Sequence, residues 1–395
     1  MNRLLRFIVI GILTLSLIPA AAGAQPAVEP VLEGCVETYD PAINYFPVEM
    51  DVNYATGFEI EYHNHYKVIS VTDPWQGAET VFQYVLVQCG TPAPDLEGEY
   101  LVIEVPVARA ISMSTTYIPH FVDLDLVDRL VATDETDFIY SPEVRERIEA
   151  GEIAEIGGSS AVNVELTLDL EPDVIFTYGS GFPEYDAHPA LLAAGLNVAL
   201  NGDYMEETPL GRAEWIKFTA AFFNREAEAN AVFDAQVEQY TRLADLAASV
   251  EQRPTVLVNA MYSGTWYVSG GGSFIAQMID DAGGSYLFAD EPAAGGIPLD
   301  FEVVLDRAQD ADFWLNPNFW YSLADGLAED ERYAEFDAFQ NDRVFNSVAR
   351  TLPTGANDYF ERGATHPELI LADLIAIFHP DLLPDHDLMY FVQLQ

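Results

Sequence analysis

Residues 165–176 read ELTLDLEPDVIF and residues 302–313 read EVVLDRAQDADF; both carry a glutamate, a leucine three residues on, and aspartates four and eight residues on. Each is a short helical turn feeding an apolar strand, so the chain repeats one βα unit. Between the copies, from Pro209 to Val250, no strand signal occurs, and Val232, Phe233, Val237, Tyr240, Leu243 and Ala247 form a helical stripe. Residues 225–250 are therefore expected to be one helix of about 38 Å, long enough to join two lobes.

Apolar β-runs alternate with helical segments on both sides of that helix. Ile103 to Met113 reads as two short strands broken by Pro106, running into Ser114, Thr115, Thr116 and Tyr117. Val174 to Tyr178 is a buried strand ending in Gly179, Ser180 and Gly181, and Val198 to Leu200 is another. After the long helix come a strand from Thr255 to Met261, a triple-glycine loop at 270–272, Ser273 as a helix cap, and Gly283 as the stop. Phe313 to Leu315 and Val344 to Ser347 are later strands, and Pro367 to Phe378 is a closing helix. The expected fold is α/β, with two lobes, each a mainly parallel sheet with flanking helices, joined by one long rigid interlobe helix. The expected boundaries are 1–24 signal peptide, 25–104 a small β-rich N-terminal extension, 105–208 first lobe, 209–250 helical connection and 251–395 second lobe.

Arg3 and Arg6 precede an apolar run from Leu4 through Ile18, and Ala22, Gly23 and Ala24 form a small-x-small cleavage site before Gln25. These are the parts of a secretory signal, which places the mature chain in the periplasm or outside the cell. A retained N-terminal anchor is the other reading of the same run. No cysteine lies at the cleavage site, so no lipid anchor is expected. Cys35 and Cys89, the chain's two cysteines, could close a loop of about 54 residues in an oxidising compartment. Two buried free thiols are the alternative. The 64 acidic against 17 basic residues give a formal net charge of −47, and Lys67 and Lys217 are the only lysines. Nucleic acid is excluded as a partner, because no basic face can be assembled. An anionic ligand would need arginines gathered locally, which draws notice to those of the C-terminal half.

With this layout in place, the chain resembles the helix-hinged periplasmic binding proteins that serve ferric-siderophore and cobalamin importers. The resemblance covers about residues 101–382 and is carried by EVPVARAISMSTTY, NVELTLDLEPDVIF, PLGRAEWIKFTAAFF and NDYFERGATHPELILADLIAIFHP. It implies a monomeric, non-enzymatic subunit that holds a metal chelate between its lobes, has no cofactor of its own, and delivers the chelate to an ABC permease dimer with its ATPase subunits. Cobalamin, haem or a ligand passed to a sensor are the alternatives. It also implies one exposed glutamate per lobe for permease docking, at Glu165 and Glu302, each beginning a short helix where a carboxylate is favoured.

The residues themselves suggest the ligand wall. Tyr117 and Tyr178 sit where strands of the first lobe should end, and Tyr262, Trp266, Tyr267, Trp320 and Tyr321 sit at comparable places in the second. Aromatic walls suit a bulky planar chelate. Arg350, Arg362 and Tyr359 are placed to meet an anionic ligand, the arginines by forked hydrogen bonds. A zinc or manganese carrier is disfavoured because His120, His188, His366 and His379 are isolated in the sequence. An enzyme is disfavoured because no Walker loop, nucleophile elbow or metalloprotease His pair occurs.

Overall fold

The computed structural model describes residues 29–395; the signal read at residues 1–24, with cleavage before Gln25, lies outside the described residues. Strand β1 (Phe58–Tyr62) pairs antiparallel with β2 (Tyr66–Val71), β2 antiparallel with β3 (Phe82–Gln88), and β3 parallel with β4 (Leu101–Val105). Alternation along β2 turns Lys67, Ile69 and Val71 to the buried face.

The first lobe's sheet is wholly parallel. Its strands are β5 (Ala110–Ser112), β6 (Leu130–Thr133), β7 (Ala154–Glu155), β8 (Val174–Thr177) and β9 (Val198–Leu200), in the order β7-β6-β5-β8-β9. Strand β8 is apolar on both faces because both are covered. Val174 and Phe176 point to a core shared with the β1–β4 sheet, and Ile175 points to the opposite layer with Leu191 and Val198.

The second lobe follows the same plan. It holds β10 (Thr255–Val258), the hairpin β11 (Met261–Tyr262) and β12 (Thr265–Ser269), then β13 (Ser285–Tyr286), β14 (Gly296–Leu299), β15 (Phe313–Leu315), β16 (Val344–Asn346) and β17 (Val392–Gln393). The main sheet runs β13-β10-β15-β16-β17, parallel except for β17, and β11-β12-β14 form a small antiparallel sheet. The repeated motif occupies equivalent places: helix Val164–Asp169 leads into β8, helix Phe301–Ala308 leads into β15, and each strand pairs with the first strand of its lobe. Two mainly parallel sheets with flanking helices and a joining helix is the expected architecture.

The joining helix spans Glu226–Ala247, about 33 Å. Ala229 and Phe233 lie in the first lobe's core, while Tyr240, Leu243 and Ala247 lie in the second lobe's core. Between them Gln236 donates to the Thr365 carbonyl at 3.1 Å. One rigid element thus belongs to two hydrophobic cores, and the lobes cannot separate far without opening one of them.

The N-terminal β-sheet is a second layer on the first lobe. Phe58 and Tyr84 share a core with Phe218 and Trp215, and Cys35 and Cys89 are joined by a disulfide. Buried carboxylates of the helical connection hold its backbone: Glu214 accepts from Asn53, Tyr54 and Ala55, and Glu206 accepts from Thr56 and Gly57. Both lysines are buried in this seam, Lys67 against Glu226 at 2.6 Å and Lys217 against Glu214 at 2.8 Å.

Candidate functional site

The strands of both main sheets end at the gap between the lobes, and that is where the cavities lie. Residues just past β5, β6 and β8 (Ser114, Asp134, Tyr178) line one of them, together with Asn357 and Phe360 of the second lobe. A larger cavity of about 530 Å³ is bounded by Asn259, Asn316 and Ser347, just past β10, β15 and β16, and by Phe138 of the first lobe. Shared residues connect these spaces: Phe138, Asn357 and Phe360 belong to both, Tyr178 continues into a third, and Tyr204 into a fourth of about 570 Å³. The result is one interlobe cleft at the carboxyl ends of two parallel sheets, where open α/β folds hold ligands.

The loops turn sharply there for a local reason. Asn259, Asn316 and Asn318 adopt positive φ (62°, 53° and 53°), a conformation asparagine tolerates better than most residues. The turn at 316–318 decides which aromatics enter the cleft. Trp320 folds back into the core with Trp314 and Tyr333 and is 1% exposed, while Phe319 and Tyr321 on either side are 78% and 62% exposed and line the large cavity. Phe360 is likewise 61% exposed in the cleft, beside the buried Tyr359.

Several sequence-based assignments change accordingly. Trp266 is a core residue: it is fully buried among Phe301, Trp314 and Phe336, with its indole N–H donated to the Val258 carbonyl. Trp320 is core for the reason just given. Tyr262 is exposed on the β11–β12 hairpin and lines none of the cleft cavities described. Tyr117 lines the cleft floor but is buried, its hydroxyl donated to the Asn201 carbonyl. Tyr178 lines two cavities, and Tyr359 contributes to the large one.

Arg350 and Arg362 do not face this cleft. They line a small separate space where the lobes touch, beside Asp123, Asp358 and Glu361, and Arg350 is already bound to Asp358 at 2.6 Å. The arginine of the cleft is Arg212, from the PLGRAEW segment. Its Nε forms an ion pair with Asp203 Oδ2 at 3.6 Å, and neither atom has a hydrogen-bond partner among the described residues. The guanidinium sits 5.3 Å from the Phe274 ring centroid of the second lobe, so Arg212 touches both lobes. Scarcity of arginine directs attention to the C-terminal half, but of the arginines there it is Arg212 that lines the cleft, while Arg350 and Arg362 line the separate space.

The remaining charge of the cleft is acidic. Burial pushes the Asp134 carboxyl up to about 6, and burial also raises Asp203, opposed by the neighbouring Arg212. Glu135 and Glu207 add carboxylates at the margins. Among the described residues, no cluster of His, Cys, Asp and Glu is arranged to hold a bare metal ion. The cleft can offer aromatic faces, hydroxyls, carboxylates and one guanidinium.

Glu165 and Glu302 both stand exposed in the first turn of equivalent helices, capped by Asn163 in one case and preceded by Asp300 in the other. Glu302 is paired with Arg332 at 2.9 Å; no ion pair involves Glu165 among the described residues.

Comparison with known proteins agrees with this geometry. An uncharacterized lipoprotein of Methanocaldococcus jannaschii is 26% identical over 328 residues, covering 79% of this chain and 76% of its own. A periplasmic binding protein from Veillonella parvula superposes with a TM-score of 0.56 at 17% identity, covering 84% of this chain and 98% of its own. An ABC-type Fe3+-hydroxamate transport system structure from Saccharomonospora viridis gives 0.53 at 18% identity, covering 69% of this chain and 94% of its own. A family model described as periplasmic binding protein matches residues 111–350, from β5 to just beyond β16, and the chain belongs to that family of binding proteins.

Proposed function

We propose that this protein captures a bulky metal chelate of low net charge in the interlobe cleft and hands it to an ATP-driven importer in the cell envelope. The observation that carries the proposal is the wall of the cleft: exposed Phe138, Phe319, Tyr321 and Phe360 converge on one space, and a single arginine, Arg212, lines the neighbouring part of the cleft past Tyr178. Solvent-facing aromatics at strand ends, where a core would bury them, supply flat contact area at small entropic cost. The charge argues for the type of chelate. A trianionic tris-catecholate would meet Asp134, Glu135, Asp203 and Glu207 with only Arg212 to offset them, on a chain of net charge −47. A neutral ferric trihydroxamate meets no such repulsion.

Titration of the purified protein with a ferric trihydroxamate, a ferric tris-catecholate, haemin and cobalamin tests this. The trihydroxamate is expected to bind, and the tris-catecholate to bind at least tenfold more weakly. Phe319→Ala and Phe360→Ala are each expected to weaken binding about tenfold, the scale of a buried aromatic contact of roughly 1–2 kcal/mol. Tight binding of the tris-catecholate alone would reverse the charge argument, and unchanged affinity in both variants would remove these rings from the site.

Delivery is proposed to use Glu165 and Glu302, one glutamate on each quasi-equivalent lobe facing a two-fold permease. The Glu302–Arg332 pair is largely exposed and therefore weak enough to exchange for a partner's arginine. Glu165→Arg with Glu302→Arg should leave ligand affinity intact and lower uptake and permease-stimulated ATP hydrolysis, because like charges would then meet across the contact. Transport at the unmodified rate by the double variant would reduce both glutamates to helix-stabilising residues.

A further inference from the structure

The cleft has a wall that the family match does not include. Residues 72–78, in the turn between β2 and β3, precede the matched segment and pack against the loop that follows β8. The Trp75 ring lies so close to this loop that a Cβ at Gly179 would come within 2.5 Å of its Cε3, and one at Gly181 within 2.8 Å of its Cδ1. Glycine at both positions is what permits the approach. Trp75 is further held by stacking on His188, with centroids 5.7 Å apart, and by an edge contact with Phe82. Tyr204 closes the arrangement by donating its hydroxyl to the Gly179 carbonyl at 2.7 Å, with the Pro74 carbonyl 3.5 Å away. Beside this brace, the exposed Gln76 lines the cavity of about 570 Å³ together with Ser180, Tyr204 and Phe274.

We propose that the 72–78 turn of the N-terminal region is part of the ligand-binding wall: Trp75 fixes the Tyr178–Gly181 loop in its binding position, and Gln76 presents its carboxamide to an oxygen-rich edge of the ligand. The region ahead of the family's shared core thereby helps decide which chelates are retained, an inference that rests on the cleft being the chelate site. Tryptophan placement makes the idea measurable. Trp215, Trp266, Trp314 and Trp320 are at most 1% exposed, whereas Trp75 is half-buried beside the cleft. Ligand-induced fluorescence change should therefore come mainly from Trp75 and be lost in Trp75→Phe.

The test uses the full mature chain and its Trp75→Ala, Trp75→Phe and Gln76→Ala variants, with thermal melting to verify folding. Hydrogen exchange of the amides at 179–182 needs no ligand and is expected to speed up about tenfold or more in Trp75→Ala but little in Trp75→Phe. Affinity for a ferric trihydroxamate, haemin and cobalamin is expected to fall about tenfold in Trp75→Ala and a few-fold in Gln76→Ala, for whichever of them the unmodified protein binds. Unchanged exchange in Trp75→Ala overturns the brace. Unchanged affinity in both alanine variants overturns the wall. Failure of the unmodified protein to bind any of the three overturns the chelate reading and the ligand role of Gln76 with it, while the exchange result still decides the brace.

Discussion

Lys67→Ala is expected to lower the free energy of unfolding by about 3–5 kcal/mol, the cost of leaving one member of a buried ion pair alone. Lys67 is completely buried on the inner face of β2, where its ammonium donates to Glu226, to Asn224 Oδ1 at 2.9 Å and to the Ala221 carbonyl. It also lies 4.5 Å from the Phe46 ring centroid. Burial pulls its pKa below the ordinary lysine value, opposed by the charge and hydrogen bond of Glu226. Removing the ammonium leaves the Glu226 carboxylate, 3% exposed, with no cation in a low-dielectric seam. Removing both charges together as Lys67→Met with Glu226→Leu should restore most of the loss, because an apolar pair of similar volume does not carry the desolvation cost. Denaturant titration of the three variants decides it. If the double variant is as unstable as the single one, hydrogen bonds to Asn224 and Ala221 hold the seam and the ion pair does not.

That seam explains why the N-terminal region was legible as β-structure but not as a working part of the molecule. Period-two alternation over residues 58–70 gives the strands directly, because each strand has one covered face. What covers that face is a matter of long-range packing: Glu206, Glu214, Lys217 and Glu226 reach back across some 150 residues to the 51–67 segment. No local pattern records such partners. The long helix and the twin βα units were legible for the opposite reason. Their stripes and caps are local, and the repeat at Glu165 and Glu302 occupies the same place in two sheets.

The cleft was legible in position and largely not in identity. Strand ends point to the binding edge of an α/β sheet whatever residues follow, and Tyr178 was found that way. Which neighbour of a pair faces the ligand depends on single dihedral angles. The left-handed turns at Asn316 and Asn318 send Trp320 inward and Phe319 and Tyr321 outward, and a bulky tryptophan in a loop gives no sign of that choice. Trp266 was misleading for another reason: its short strand β12 belongs to a small accessory sheet whose inner face covers Trp314. Arg212 lay inside a recognised segment, but only the folded chain shows it between Asp203 and Phe274.

The closure of the lobes is expected to depend on pH through His366. Its Nε2 meets Asp123 of the first lobe at 2.8 Å and its Nδ1 meets Glu368 of the second at 3.0 Å, with Gln236 of the joining helix 3.2 Å away. Burial alone would lower the imidazole's pKa, but hydrogen bonds and charges from Asp123 and Glu368 outweigh it and carry it up to about 9. A raised histidine pKa means that the folded state holds the proton more tightly than the unfolded chain. The stabilisation is therefore complete below the ordinary value near 6.5 and is lost as pH rises through about 9; a shift of this size corresponds to roughly 2–4 kcal/mol. A second interlobe contact has the same sign at lower pH. Burial pushes the Glu361 carboxyl up to about 7 against the lowering effect of the Tyr140 and Ser141 backbone N–H groups, so its contribution fades between the ordinary carboxylate range and neutrality. Comparing melting temperatures of the unmodified protein and His366→Gln from pH 6 to pH 10 separates the two, since only the histidine step lies in the upper half of that range. The unmodified protein should be the more stable at pH 6 and should lose that advantage by pH 10. A constant difference across the range would mean that His366 contributes packing alone and that the lobes are not clasped by its charge.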